Sequence, residues 1–355
     1  MKPFHDPLGE PAASDAIVRK ILAECRTVFG AEALPQLLRR SVQHLPYSTV
    51  IRLVFSVEGA ERAVYAKIPR NEDLPRIRRE SDILRYYSKE LGVDGAYCVV
   101  HPLAVLSDPP CLVTAQGEGL PLNTVVRDRA VWLPSSRTRK QLGAACRMCG
   151  EWLREFQQVE PPEGDTSYRD AETVEFIHDQ MTQCRKEALF DRKLVERLRR
   201  FVDSAAAAMG PDAKLTGMHS DFILSNILVA PTRVSVLDFS RCRTGPACRD
   251  VASLLYSLDA LLTNPMFRPS TVRSLKQAFV AGYGWNPEEE NAARFALFRT
   301  REILGGLLQM ARRTRGGYRQ RWRLGRARAR AADSLSRMAR RHPNRLVSDV
   351  EWHHT

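Results

Sequence analysis

Residues Gly217 to Ser240 read GMHSDFILSNILVAPTRVSVLDFS, and the spacing of the polar residues in this stretch decides how the whole chain is read. Asp221 and Asn226 stand as D-x-x-x-x-N, and Asp238-Phe239 closes a second apolar run. Asn226 to Ala230 (NILVA) and Arg233 to Phe239 (RVSVLDF) are rich in β-branched and apolar residues, with Pro231-Thr232 between them, so the pattern predicts a hairpin. With that turn as the tip, Val229 faces Val234 and Ile227 faces Val236, and Asn226 falls beside Leu237 and Asp238 at the open end. Asp221 is on the loop that enters the first strand. Three oxygen-bearing side chains are therefore expected to converge. Hard cations such as Mg²⁺ take oxygen ligands and keep several waters, so two protein ligands plus phosphates suffice. Phosphoryl transfer from a metal–nucleotide complex needs such a set. One carboxylate receives the proton of the attacking hydroxyl, while an amide oxygen and a second carboxylate hold the ion against the phosphates.

The segment resembles the catalytic and metal-binding loops of the aminoglycoside phosphotransferase and choline kinase-like family, a relative of the protein kinases, with its pattern H-G-D-x-x-x-x-N followed by D-F. The resemblance implies that Asp221 is the catalytic base, that Asn226 and Asp238 are metal ligands, and that His219 supports the loop. Ser220 stands where the family has Gly, and Ser240 stands where protein kinases have Gly after Asp-Phe. Arg249-Asp250-Val251-Ala252 matches the family's R-D-x-A run, which implies that Asp250 braces the loop through its backbone amides. The fold implied is α+β and two-lobed, protein kinase-like, with a small antiparallel-sheet N-lobe and a larger, mostly helical C-lobe. In this chain the lobes map to 1–114 and 123–298, with a hinge at 115–122 and C-terminal helices with an arginine-rich end at 299–355.

A kinase-like chain needs a lysine on a strand and a glutamate on the following helix. Arg62 to Ile68 (RAVYAKI) alternates, with Val64, Ala66 and Ile68 on one face and Lys67 on the other. Asn71 to Leu91 predicts a helix with Leu74, Ile77, Leu84, Tyr87 and Leu91 on a stripe, and Glu80 falls on that stripe. A carboxylate there is costly unless paired, and Lys67 is its natural partner and a contact for nucleotide phosphates. Cys111 to Thr114 predicts a short buried strand that leads into Ala115-Gln116-Gly117-Glu118-Gly119. Backbone groups at Ala115 and Gln116 are candidates for the nucleotide base. No G-x-G-x-x-G run occurs. The corresponding loop is expected between a strand near Val42 to Leu45 and one at Val50 to Val57, where Ser48 and Thr49 are either phosphate contacts or ordinary turn residues. Gly150 to Gln157 resembles the family's helix before the catalytic loop.

Composition bounds the class. A chain of 355 residues buries a sizeable core and more than one domain. No run of about twenty apolar residues marks a transmembrane helix. Ala16 to Phe29 reads as an amphipathic helix with Ile17, Ile21, Leu22 and Cys25 on one side, not as an export signal, so a cytoplasmic location is expected. The eight cysteines are scattered, and Cys146-x-x-Cys149 lacks the second pair that a zinc site needs.

Charge is concentrated at one end. Between Arg299 and Arg345 stand fifteen Arg, no Lys and two acids, an excess equal to the +13 of the entire chain. Asn286 is a candidate cap, followed by Pro287 and the acids Glu288, Glu289 and Glu290. Phe295, Leu297, Phe298, Ile303, Leu304, Leu307 and Leu308 continue as an apolar face. Such an end fits several roles: phosphate or carboxylate binding, an anionic membrane surface with Trp322 and Leu324 dipping in, nucleic acid, or a merely solvated helix. It favours an anionic acceptor such as a phosphorylated glycan. The acids Glu160, Glu163, Asp165, Asp170, Glu172 and Glu175 favour a cationic acceptor if they line its site, although that run also reads as an exposed loop. The expectation is a Mg²⁺-dependent kinase, with ATP or GTP as donor, acting on a hydroxyl of a small, sugar-like acceptor. The alternatives are a pseudokinase or nucleotide-binding regulator, and a membrane- or polyanion-associated protein acting through its arginines.

Overall fold

The computed structural model describes residues 11–32, 35–71, 73–92, 95–130, 134–162, 168–210, 215–284, 292–314 and 317–340, with the backbone alone at 11–14 and 319. Helix α1 (Pro11–Val28) buries Ile17, Ile21, Leu22 and Cys25 against a sheet. Strands β1 (Gln36–His44), β2 (Ser48–Val57) and β3 (Ala60–Pro69) follow, then helix α2 (Leu74–Leu91) and strands β4 (Tyr97–Val99), β5 (Pro102–Ser107) and β6 (Pro110–Ala115). The order β1-β2-β3-β6-β5 makes an antiparallel five-stranded sheet. Period-two patterning decides its faces: Val64, Ala66 and Ile68 turn into the core with Ile51, Leu53 and Phe55, and Lys67 points the other way.

Helix α2 starts three residues later than Asn71. The Asp73 carboxylate accepts from the Arg76 amide at 3.1 Å, and Pro75 occupies the first turn, so the cap lies at Asp73. Ile77, Glu80, Leu84 and Tyr87 form its buried stripe.

The chain continues through β7 (Leu120–Pro121), α3 (Leu122–Arg129), α4 (Ser136–Gln158), α5 (Asp170–Lys186), α6 (Arg192–Ala207), β8 (Leu215–Met218), β9 (Ile227–Val229), β10 (Val234–Val236), β11 (Arg243–Pro246), α7 (Cys248–Ala260), α8 (Pro269–Tyr283), α9 (Ala292–Arg313) and α10 (Tyr318–Arg340). It divides into two compact units, Met1–Gly119 with Thr232–Cys242, and Leu120–Pro231 with Arg243–Thr355. In the first, β10 runs parallel to β4, with Val234 opposite Tyr97 and Val236 opposite Val99. The second is mostly helical, with short antiparallel pairs β7–β9 and β8–β11. A sheet-built N-terminal part and a helical C-terminal part are the architecture that the Asp221 motif implied.

Two features shape the second unit. Helices α4 and α8 meet at Gly150 and Gly282. A Cβ on Gly150 would stand 2.1 Å from the Phe279 carbonyl oxygen, and one on Gly282 would stand 2.0 Å from that of Arg147, so only glycine permits this approach. Helix α10 docks through Ala327, Ala331 and Leu335, spaced four apart, on a core shared with Leu198, Val202, Leu304 and Leu307. Leu324, partly buried, packs against the same core. Trp322 is 40% exposed, with the Arg326 guanidinium 5.0 Å from its ring centre. Among the described residues, no helix is long and apolar enough to cross a membrane.

The run of acids also differs from expectation. Asp170 opens a helix, not a loop, and is gripped by Arg294 at 3.0 and 2.8 Å and by the Tyr168 hydroxyl at 2.6 Å, which makes it structural. Glu163 and Asp165, the candidate cap at Asn286 with Pro287 and the acids after it, and Arg315, Arg341 and Arg345 lie outside the described residues. All eight cysteines are buried, and none is in a disulfide among the described residues. Burial pushes the Cys146 thiol up to about 12 and Cys149 well above its ordinary value, as for packing thiols.

Candidate active site

In the second unit, the loop between β8 and β9 carries His219, Asp221 and Asn226, and its backbone is held at several peptides. Asp250, in the first turn of α7, accepts the His219 amide at 2.7 Å and the Ser220 amide at 2.8 Å, one on each carboxylate oxygen. Burial pushes the Asp250 carboxyl up, and His219, Arg249 and those two amides pull it back. The Leu224 peptide is fixed on both sides: its N–H donates to Ser257 Oγ at 3.3 Å, and its oxygen accepts from the Asn123 amide at 3.0 Å.

His219 is fully buried, and its Nδ1 accepts the Asp221 amide at 3.3 Å. Its ring meets Phe222 edge-on at 6.1 Å. Phe222 stacks on Trp152 at 5.4 Å, and Trp152 stacks on Phe156 at 5.0 Å, so α4 supports the loop through aromatic faces. Gln157 takes no part in the loop. It donates to the Ala247 carbonyl at 3.1 Å and accepts from the Tyr283 hydroxyl at 2.6 Å.

Ser220 has φ of +67°, the left-handed region that Gly occupies without a steric cost. A side chain there costs about 1 kcal/mol. Further along the loop, Asn226 Nδ2 donates to both the backbone oxygen and the Oδ2 of Asp221, each at 3.0 Å. Both amide protons are thereby committed to Asp221. Asn226 Oδ1 is left as an acceptor, with the Ser225 hydroxyl at 3.4 Å.

The first unit holds the other set. Lys67 Nζ lies 3.0 and 3.1 Å from the two Glu80 oxygens and 2.7 Å from Asp238 Oδ1. Glu80 is 2% exposed and Lys67 25%. Burial alone would lower the Lys67 ammonium, but Glu80 and then Asp238 outweigh it and hold the group above its ordinary value. Asp238 also sits in the left-handed region, at φ of +64°. Ser240 Oγ donates to Asp238 Oδ1 at 2.7 Å, and Arg76 donates to Ser240 Oγ at 3.2 Å. The serine that replaces glycine after Asp-Phe thus helps to position the carboxylate, a contact that spacing alone does not reveal.

Four candidates are placed otherwise than expected. Ser48 and Thr49 are not in a loop; they open β2, opposite Pro69 and Ile68, and are buried. The Thr49 hydroxyl meets His44 Nδ1 at 3.3 Å. Ala115 and Gln116 do not offer free amides either. The Ala115 N–H donates to His101 at 2.8 Å and the Gln116 N–H to Ala63 at 3.1 Å, while the Gln116 side chain accepts from Arg52 at 3.0 Å.

Residues 47–295 of the chain match the model of a family described as phosphotransferase enzymes. No curated protein matches the chain in sequence. Among solved structures, a choline kinase from Cryptosporidium parvum aligns over 94% of this chain and 100% of its own, at 12% identity and a TM-score of 0.58. An amicoumacin kinase in complex with AMP-PNP and Ca²⁺ aligns over 90% and 96%, at 13% identity and 0.57. A choline/ethanolamine kinase family protein from Mesorhizobium loti aligns over 94% and 99%, at 17% identity and 0.55. At these identities the likeness shows a shared fold.

Proposed function

The chain belongs to the phosphotransferase enzyme family, and on that premise we propose that it moves the terminal phosphoryl group of a Mg²⁺-bound nucleoside triphosphate to a hydroxyl of a small, sugar-like acceptor. The observation that carries this reading is the double donation from Asn226 to Asp221. It orients a carboxylate without neutralising it, as a proton acceptor requires. The acceptor hydroxyl gives its proton to Asp221, its oxygen bonds the γ-phosphorus, and the bridging bond breaks to release the nucleoside diphosphate.

Lys67, kept charged by Glu80, supplies positive charge to the phosphates. Each unit carries a donor of the type a hard cation takes: in the second, Asn226 presents an amide oxygen because its nitrogen is occupied, and in the first, Asp238 presents a carboxylate. Held by oxygen donors of this kind, Mg²⁺ would neutralise charge that builds on the transferring group. His219 and Asp250 act on loop geometry and do not touch the reacting atoms. ATP or GTP is the donor: an amicoumacin kinase of the same fold holds AMP-PNP, and an aminoglycoside phosphotransferase of the same fold holds GDP.

Thermal unfolding of the full chain with AMP-PNP or GMP-PNP, with and without Mg²⁺, tests the donor. At a hundredfold excess over Kd, binding adds about 2.7 kcal/mol. Stabilisation that requires Mg²⁺, followed by release of nucleoside diphosphate in the presence of a hydroxyl acceptor, is the expected result. Absence of stabilisation by either analogue would overturn the proposal.

A further inference from the structure

In the second unit, a cavity of about 610 Å³ opens against the loop that carries Asp221. Leu224 and Ser225, which lie between Asp221 and Asn226, form part of its wall. The Leu224 peptide in that wall is fixed by Ser257 and Asn123, and both of these residues also line the cavity. Tyr256 lines it too, with its hydroxyl seated over Gly306, where a Cβ would come within 1.7 Å of the oxygen. The volume lies in the ordinary range for small-molecule sites, roughly 300–1,000 Å³.

The lining is chemically one-sided. Arg127 of α3, Arg313 of α9 and Arg323 of α10 line it, and no Asp or Glu does so among the described residues. Leu261, Phe267 and Met310 supply an apolar portion. Among the described residues, none of the three arginines enters an ion pair with an acid, whereas Arg294, Arg299 and Arg337 each have a carboxylate partner. Like charges brought to one cavity without counter-charges repel, and a bound anion relieves that repulsion. Arg313 and Arg323 belong to the segment in which the chain's excess charge is concentrated.

We propose that this cavity receives the phosphoryl acceptor, and that the acceptor is an alcohol bearing a carboxylate or a phosphate, bound by Arg127, Arg313 and Arg323. The proposal rests on the kinase reading above and specifies the substrate class of that site. Guanidinium forks suit both anions, and a cationic amino alcohol meets repulsion there.

The test uses matched six-membered sugars as probes: glucose, glucosamine, glucuronate and glucose 6-phosphate, bound to the full chain and followed by calorimetry at low ionic strength. Glucuronate and glucose 6-phosphate are expected to bind about tenfold tighter than glucose, with glucosamine weakest, and the stronger of the two identifies the anion. Arg313→Gln with Arg323→Gln is expected to erase the preference. Arg321→Gln with Arg328→Gln, exposed arginines of α10 that do not line the cavity, is expected to retain it. Equal binding of glucose or glucosamine, no binding of either anion, a preference that survives in the first pair, or its equal loss in the second would each overturn the proposal. Binding of AMP-PNP with Mg²⁺ is measured on the same protein without sugar. Its failure would count against the kinase reading, separately from the sugar result.

Discussion

Two aspartates of the second unit are held in opposite ways. Asp259 has Lys276 Nζ at 2.9 Å on one oxygen and an Arg299 nitrogen at 2.6 Å on the other. Asp221 is held by the neutral amide of Asn226 at 3.0 Å, and no basic side chain forms an ion pair with it among the described residues. Both carboxylates are fixed in place, but only one is neutralised. A carboxylate between two cations stabilises the helices it joins and is a poor base. One oriented by an amide has no cation across it and contributes less to stability. Asp238, gripped by Lys67 but also close to Ser240, stands between the two.

The contrast is most easily broken at Asp221. Asp221→Asn is expected to lower the phosphate-transfer rate about 10³-fold, near 4 kcal/mol in barrier, while nucleotide affinity and melting temperature hold. Unchanged turnover in steady-state assays would remove the base assignment. Lys67→Met comes next. It is expected to cost about 10²-fold in kcat/KM for nucleotide, because one charged contact is lost. If isothermal titration showed nucleotide affinity untouched, Lys67 would be a purely structural partner of Glu80.

Asp259→Asn should show the opposite signature: rate retained, and stability reduced by roughly 2 kcal/mol through the loss of charge-assisted bonds. Its pH dependence sharpens the point. Burial pushes the Asp259 carboxyl up, but Lys276 and Arg299 hold it below the ordinary value. The folded state therefore binds the proton less readily than the unfolded chain, whose carboxylates titrate near ~4. The stability this pairing contributes is complete above that value and is lost as pH falls through the lower folded value. The gap between wild type and Asp259→Asn in denaturant titrations should be constant from about pH 5 to 7 and close below about pH 4. Smallest is Ser220→Gly. Relief of about 1 kcal/mol of left-handed strain is offset by the greater freedom of glycine in the unfolded chain, so melting should change by a few degrees at most, with the rate preserved.

Much of this was legible in the chain and some was not, for physical reasons. The Lys67–Glu80 pair could be read because burying a charged group on an apolar stripe demands a partner. Strand patterning put Val64, Ala66 and Ile68 on the core face for the same kind of reason. Ser48 and Thr49 were misplaced because hydroxyl residues suit both turns and strand starts, and the register of β2 with β3 extends further than the apolar run. The docking of α10 was obscured because Ala327 and Ala331 carry little apolar area, and the arginines around them dominate the composition. Arg127, Arg313 and Arg323 share a cavity although some two hundred residues separate the first from the others, so no local pattern could assemble them.

The crossing of α4 and α8 has a mechanical consequence. With hydrogen atoms alone between Gly150 and the Phe279 carbonyl, the seam has no compressible side chain to absorb a displacement. Trp152 and Phe156, on the same helix, carry the aromatic pile on which Phe222 rests. A methyl group inserted at this rigid joint would therefore reach the reactive loop as a tilt of its bearing surface, leaving every ionisable group in place but aimed differently.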